Sequence, residues 1–160
     1  MRGPRLKAAV LRTTVRAPVR PTEDPALVRA AVLSIFPGSE VHEAPGRVVA
    51  QVASLDRLRQ LIGSQRIPDT ARGVMLAGLS FDAPEATFLL GKQAAAAGRA
   101  HFGPLRSPLG DLEVTIQGED LDEVERAIYW LAPDTTVPEE WAEVPARLRP
   151  QDVPQNGRSP

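Results

Sequence analysis

From Ala8 to Val19 the side chains alternate, with Leu11, Thr13, Val15, Ala17 and Val19 on one side and Arg12, Thr14, Arg16 and Arg20 on the other. A period of two over this length marks an extended strand with one face buried and a basic outer face. The same alternation returns near the far end, where Leu112, Val114 and Ile116 are interleaved with Glu113, Thr115 and Gln117. Chains of this kind need a sheet with something apolar laid against its inner face.

The covering layer is legible as helical spacing between the strands. Thr22 is expected to cap a helix whose buried stripe is Val28, Ala31, Val32 and Ile35 and which stops at Pro37-Gly38. Glu40 to Ala44 and Arg47 to Ala53 read as a hairpin around Pro45-Gly46, with Val48, Ala50 and Val52 facing inward. Ser54 caps a second helix with an apolar face of Leu55, Leu58, Leu61 and Ile62, and Arg59 and Arg66 share its polar stripe. Asp69 is the expected cap of a third helix carrying Arg72, Val74, Met75, Leu76 and Leu79, weakened by Gly73 and Gly78. Ala86 to Leu90 is a strand that opens directly into a short alanine-rich helix, Lys92 to Ala97, and Ser107 to Gly110 is a turn. Leu121, Val124, Ile128 and Leu131 give the last helix, within Glu119 to Leu131.

The order β-α-β-β-α-α-β-α-β-α points to an α+β fold, a single two-layer domain with helices packed on a mostly antiparallel sheet. The domain spans residues 8–133. Residues 133–160 hold six prolines and little to bury apart from Trp141, so a flexible Pro-rich C-terminal tail is expected over residues 134–160.

Composition excludes several classes of function. The chain has 160 residues and no cysteine, which removes disulfides, thiolate metal sites and cysteine nucleophiles. No apolar run approaches the ~20 residues that cross a bilayer, so a cytoplasmic protein without membrane contact is expected. His42 and His101, the only histidines, have no metal-ligand or triad spacing. Gly91-Lys92-Gln93 stands at a strand-to-helix junction but lacks the remaining glycine and the Ser or Thr of a phosphate loop. The carboxylates Glu119, Asp120, Asp122 and Glu123 suit a helix start better than acid/base chemistry. No metal and no cofactor are expected.

Net charge is −1, yet residues 1–110 hold 15 Lys and Arg against 8 Asp and Glu, while residues 111–132 hold 1 against 7. Such asymmetry suits a basic face beside an acidic helix. Arginines outnumber lysines 17 to 2 among the basic residues, which favours bidentate phosphate contact. The few aromatic residues, Phe36, Phe81, Phe88, Phe102, Tyr129, Trp130 and Trp141, supply no platform for stacking successive bases.

Four segments, residues 17–37 (APVRPTEDPALVRAAVLSIFP), 58–76 (LRQLIGSQRIPDTARGVML), 88–102 (FLLGKQAAAAGRAHF) and 107–116 (SPLGDLEVTI), resemble an archaeal family of RNA-binding, exosome-subunit-like proteins. The resemblance covers about residues 8–133. It implies an α+β fold similar to the large-subunit ribosomal protein that binds 5S RNA, no known catalytic activity, and an RNA-binding role. Positions matching the family motifs are Gln65, Arg66, Asp69, Arg72, Lys92, Gln93 and Gly98, and Gly91 stands where the family usually has asparagine. The resulting expectation is a non-enzymatic RNA-binding protein associated with RNA processing or the exosome. Arg12, Arg16, Gln65, Arg66, Arg72, Lys92, Gln93 and Arg99 are its candidate contacts, and structured RNA is its partner. The alternative is a protein-interaction adaptor or homodimeric scaffold without direct RNA contact. A small enzyme acting on a phosphorylated metabolite near Lys92 is a further rival.

Overall fold

The structure is a computed structural model that describes residues 11–102 and 110–136. Its elements are β1 (Arg12–Pro18), α1 (Pro25–Ile35), β2 (Glu40–Ala44), β3 (Arg47–Gln51), α2 (Asp56–Ser64), α3 (Pro68–Ala77), β4 (Glu85–Gly91), α4 (Lys92–Ala96), β5 (Asp111–Gln117) and α5 (Leu121–Leu131). The five strands form one sheet in the order β2-β3-β1-β5-β4, every neighbouring pair antiparallel. This is the α+β architecture that the alternation and helical spacing call for. The expected strand residues 8–10, the turn residues 107–109 and most of the expected tail lie outside the described residues.

The inner face of the sheet carries Val15, Ala17, Val48, Ala50, Ala86, Phe88, Leu90, Leu112, Val114 and Ile116, all buried. Against it the helices bury Val32, Ile35, Phe36, Leu58, Ile62, Met75, Ile128 and Leu131. Phe88 and Phe102 stack with ring centroids 5.6 Å apart. On the outer face the register sets Arg16 beside Val49 and Glu113, and Thr14 beside Gln51 and Thr115. Among the described residues no buried apolar cluster forms on that side. No helix among the described residues is long and apolar enough to cross a membrane.

Three helix starts differ from the expected caps. Asp24, not Thr22, caps α1: its carboxylate accepts the Ala26 N–H at 2.9 Å, and Pro25 takes the first helical position, where a missing N–H is harmless. Ser54 accepts the Asp56 N–H at 3.0 Å, but the capping position itself falls on Leu55. In α3, Pro68 is already helical, so Asp69 sits in the first turn and is free to pair with Arg72. Arg66 is not on the polar stripe of α2, because the helix ends at Ser64.

The short helix α4 packs on α1, and the Ser34 hydroxyl donates to the Ala95 carbonyl. Ala95 is fully buried, so part of the alanine run is explained by close approach of two helix backbones. A tighter approach occurs at Gly78, which ends α3: a Cβ there would lie 2.0 Å from the Thr87 carbonyl oxygen of β4. Gly78→Ala is therefore expected to lose about 1–3 kcal/mol in urea unfolding, whereas Gly73→Ala, with open space around it, gains or loses less than about 1 kcal/mol.

Candidate nucleic-acid interface

The eight candidate contacts divide into residues occupied inside the fold and residues facing water. Lys92, the first residue of α4, is 5% exposed, and its ammonium donates to the Pro18 carbonyl and to the Glu23 carboxylate at 3.0 and 3.2 Å. These bonds tie the end of β1 and the turn before α1 to the start of α4. Burial pushes the Glu23 carboxyl up, but the Arg20 N–H and the Lys92 ammonium more than offset this and hold it below its ordinary value. Asp111 is moved the opposite way: burial raises its carboxyl, opposed by Lys92 and His101, and its Oδ1 has no hydrogen-bond partner among the described residues.

Arg72 is committed to the end of α5. It donates to the Ala132 and Pro133 carbonyls at 3.1 and 3.0 Å and to Asp69 at 2.6 Å, lies 4.0 Å from Asp134, and covers the Tyr129 ring at 5.9 Å. The Gln65 amide clasps one residue from both sides, donating to the Ala100 carbonyl at 2.8 Å and accepting its N–H at 2.9 Å. That clasp joins the α2–α3 junction to the segment after α4.

Arg66 and Arg99 are the sequence neighbours of the two clasped residues, and both are exposed. Gln65 and Ile67 donate to the Leu61 and Ile62 carbonyls, so the left-handed residue that terminates α2 is Arg66, with φ +59°. This is the position usually given to glycine. Gln93 is exposed on the first turn of α4. Arg12 and Arg16 lie elsewhere, on the outer face of β1, where Arg16 approaches Glu113 at 3.8 Å.

Sequence reasoning missed Arg47, which joins Arg16, Leu89, Asp111 and Glu113 around a shallow depression on that face. The alternation through Arg47, Val48, Val49, Ala50 and Gln51 carried the signal. It also missed Arg59, which donates to the Trp130 carbonyl at 2.9 Å and lies 4.8 Å over that indole. Its partner is 71 residues away, and no local pattern announces it.

No protein-family model matches the chain. It is 38% identical over 132 residues to a UPF0201 protein of Methanothermobacter thermautotrophicus, which covers 81% of this chain and 96% of that relative. A UPF0201 protein of Aeropyrum pernix is 40% identical over 134 residues, covering 78% and 87%. The chain belongs to the archaeal UPF0201 family. The crystal structure of a UPF0201 protein from Methanococcus jannaschii superposes with a TM-score of 0.69 at 30% identity, covering 77% of this chain and 93% of that one. A UPF0200/UPF0201 protein of Archaeoglobus fulgidus is 34% identical over 122 residues that make up only 37% of its length. The names of these UPF0201 relatives state no activity, substrate or partner.

Removing the Lys92 ammonium strands the Glu23 carboxylate in a half-closed site, so Lys92→Ala is expected to lower unfolding free energy by about 3 kcal/mol. Because the Glu23 carboxyl is depressed, its stabilisation is present at neutral pH and is lost as pH falls below the unfolded value of about 4.3. Urea unfolding from pH 7 to pH 3 should show a smaller acid loss in Glu23→Gln than in the parent chain.

Proposed function

We propose that this UPF0201 chain is a non-enzymatic RNA-binding protein whose phosphate contacts are Arg66 and Arg99, with Gln93 beside them. One observation carries the reading: Arg66 occupies a left-handed, exposed position where glycine has no steric penalty, and Gln65 fastens that corner to the segment bearing Arg99. A side chain kept at a cost of about 1 kcal/mol to the backbone points to a role outside the fold. Of the family-motif positions, Gln65, Asp69, Arg72 and Lys92 have internal partners, and Gly98 has φ +76°. Subtracting these leaves Arg66 and Gln93, and Arg99 adjoins them.

Guanidinium groups at a rigid corner suit the phosphates of a folded RNA better than the bases of a single strand. Phe36, Phe88 and Phe102 are buried, which leaves base stacking little to work with. Association with RNA processing or the exosome, and a cytoplasmic location, belong to the same proposal through the four-segment resemblance.

A second reading, a protein-interaction adaptor, is favoured by Phe81, whose side chain stands fully in solvent at 104% relative exposure. The two separate in a salt titration. Affinity for a structured RNA should fall steeply with salt, and Arg66→Gly and Arg99→Ala should each flatten the slope by about one unit. Arg66→Gly should at the same time stabilise the fold by about 1 kcal/mol. RNA binding that is absent, or insensitive to salt and to both variants while Phe81→Ala abolishes capture of a protein partner, would favour the adaptor.

A further inference from the structure

The outer face of the sheet is divided by charge along the boundary between β1 and β5. On the β3–β1 side the outward charges are Arg47, Arg12 and Arg16, and on the β5–β4 side they are Asp111, Glu113 and Glu85. β2, outermost on the basic side, adds Glu40 and His42. A surface with a basic half beside an acidic half is complementary to its own copy turned about a two-fold axis.

The register makes this specific. Strand pairing aligns His42, Val49, Arg16, Glu113 and Leu89 in one row across the sheet, and Glu40, Gln51, Thr14, Thr115 and Thr87 in the next. With a two-fold axis parallel to the strands and lying under the β1–β5 boundary, each row folds onto itself. Arg16 then faces the partner's Glu113, Val49 faces the partner's Leu89, and Thr14 faces the partner's Thr115. Arg47 falls over the partner's Gly91, which has no side chain, next to the partner's Asp111, whose Oδ1 has no partner among the described residues. Glu85 and Gln117, already hydrogen bonded to each other at 3.0 Å, lie at the rim.

We propose that this outer sheet face is a homodimer interface in which two copies stack sheet on sheet, basic half on acidic half. Stacked sheets sit about 10 Å apart, which long Arg and Glu side chains span readily. Four strands at ~4.8 Å spacing and about five residues at ~3.4 Å each give a flat footprint of roughly 330 Å² per copy, below the ~800 Å² per partner of a standard interface, so the dimer should be weak and strongly concentration-dependent. The in-chain Arg16–Glu113 contact, 3.8 Å long and half exposed on both sides, is weak enough to be exchanged for the facing pair. The inference is independent of the RNA reading, because Arg66 and Arg99 are not on this face.

The test uses the full chain in sedimentation velocity at 5–200 µM (about the range such an interface requires). The parent chain should dimerise, less so in high salt. Arg16→Glu and Glu113→Arg should each be monomeric, since each places two like-charged pairs across the axis. Mixing the two variants should restore a heterodimer, in which both facing pairs are opposite in sign. An in-chain role for Arg16 and Glu113 cannot produce that rescue. Val49→Cys/Leu89→Cys gives a second readout with a bis-maleimide of about 8 Å span, because these positions are three strands or ~14 Å apart within one chain but face each other across sheets about 10 Å apart, so the reagent links them only between copies. A parent chain that stays monomeric throughout, occupation of the face by the chain's own residues 137–160 included, would overturn the proposal. So would a dimer indifferent to both charge reversals, or variants that remain monomers when mixed.

Discussion

Everything in this fold hangs on β1 being the central strand and exposing only one of its faces to the helices. It pairs with β3 on one side and β5 on the other, so its alternation is imposed on both neighbours through the register. Val15 aligns with Ala50 and Val114, and Arg16 with Val49 and Glu113. A slip of one residue in either pairing would turn a charged side chain, Arg47 from β3 or Glu113 from β5, toward a core closed by Val32, Ile35 and Ile128. The same constraint that builds the core therefore sorts the polar residues of three strands onto a single outer surface.

The polar side chains fall into two populations that look alike in one dimension. Arg72, Arg59, Gln65 and Lys92 act as clasps between elements, satisfying carbonyls or a carboxylate that helix ends and turns leave open. Arg66, Arg99 and Arg12 face water. The clasps gather at helix termini, where the backbone supplies acceptors. The exposed arginines stand at a loop corner and on the open sheet.

Element order, the inward residues of β1, β3 and β5, and the buried stripes of α1 and α5 were all legible in sequence, because each follows from local periodicity. Helix starts were less so. Asp24 and Thr22 both suit a cap, and the choice rests on Pro25, whose ring fixes the first helical turn. The candidate site was legible only as a set of residue types. Whether Lys92 meets solvent or Glu23 depends on a contact 69 residues away, and the partners of Arg72 and Gln65 are 60 and 35 residues distant. No spacing rule encodes such distances. The left-handed turn at Arg66 was hidden for a related reason: a sequence reader looks for glycine there.

The grip of Arg72 on the Ala132 and Pro133 carbonyls has a bearing on how this domain is joined to others. It fixes the point at which the chain departs, at the base of α5 and alongside α3, within the helical layer. Whatever is attached downstream starts out on the side away from the open sheet. In the longer Archaeoglobus fulgidus relative the matching region is 37% of the length. One arginine thus pins the last turn of α5 to α3, so that fraying of the helix from this end must first break the hydrogen bonds to Ala132 and Pro133.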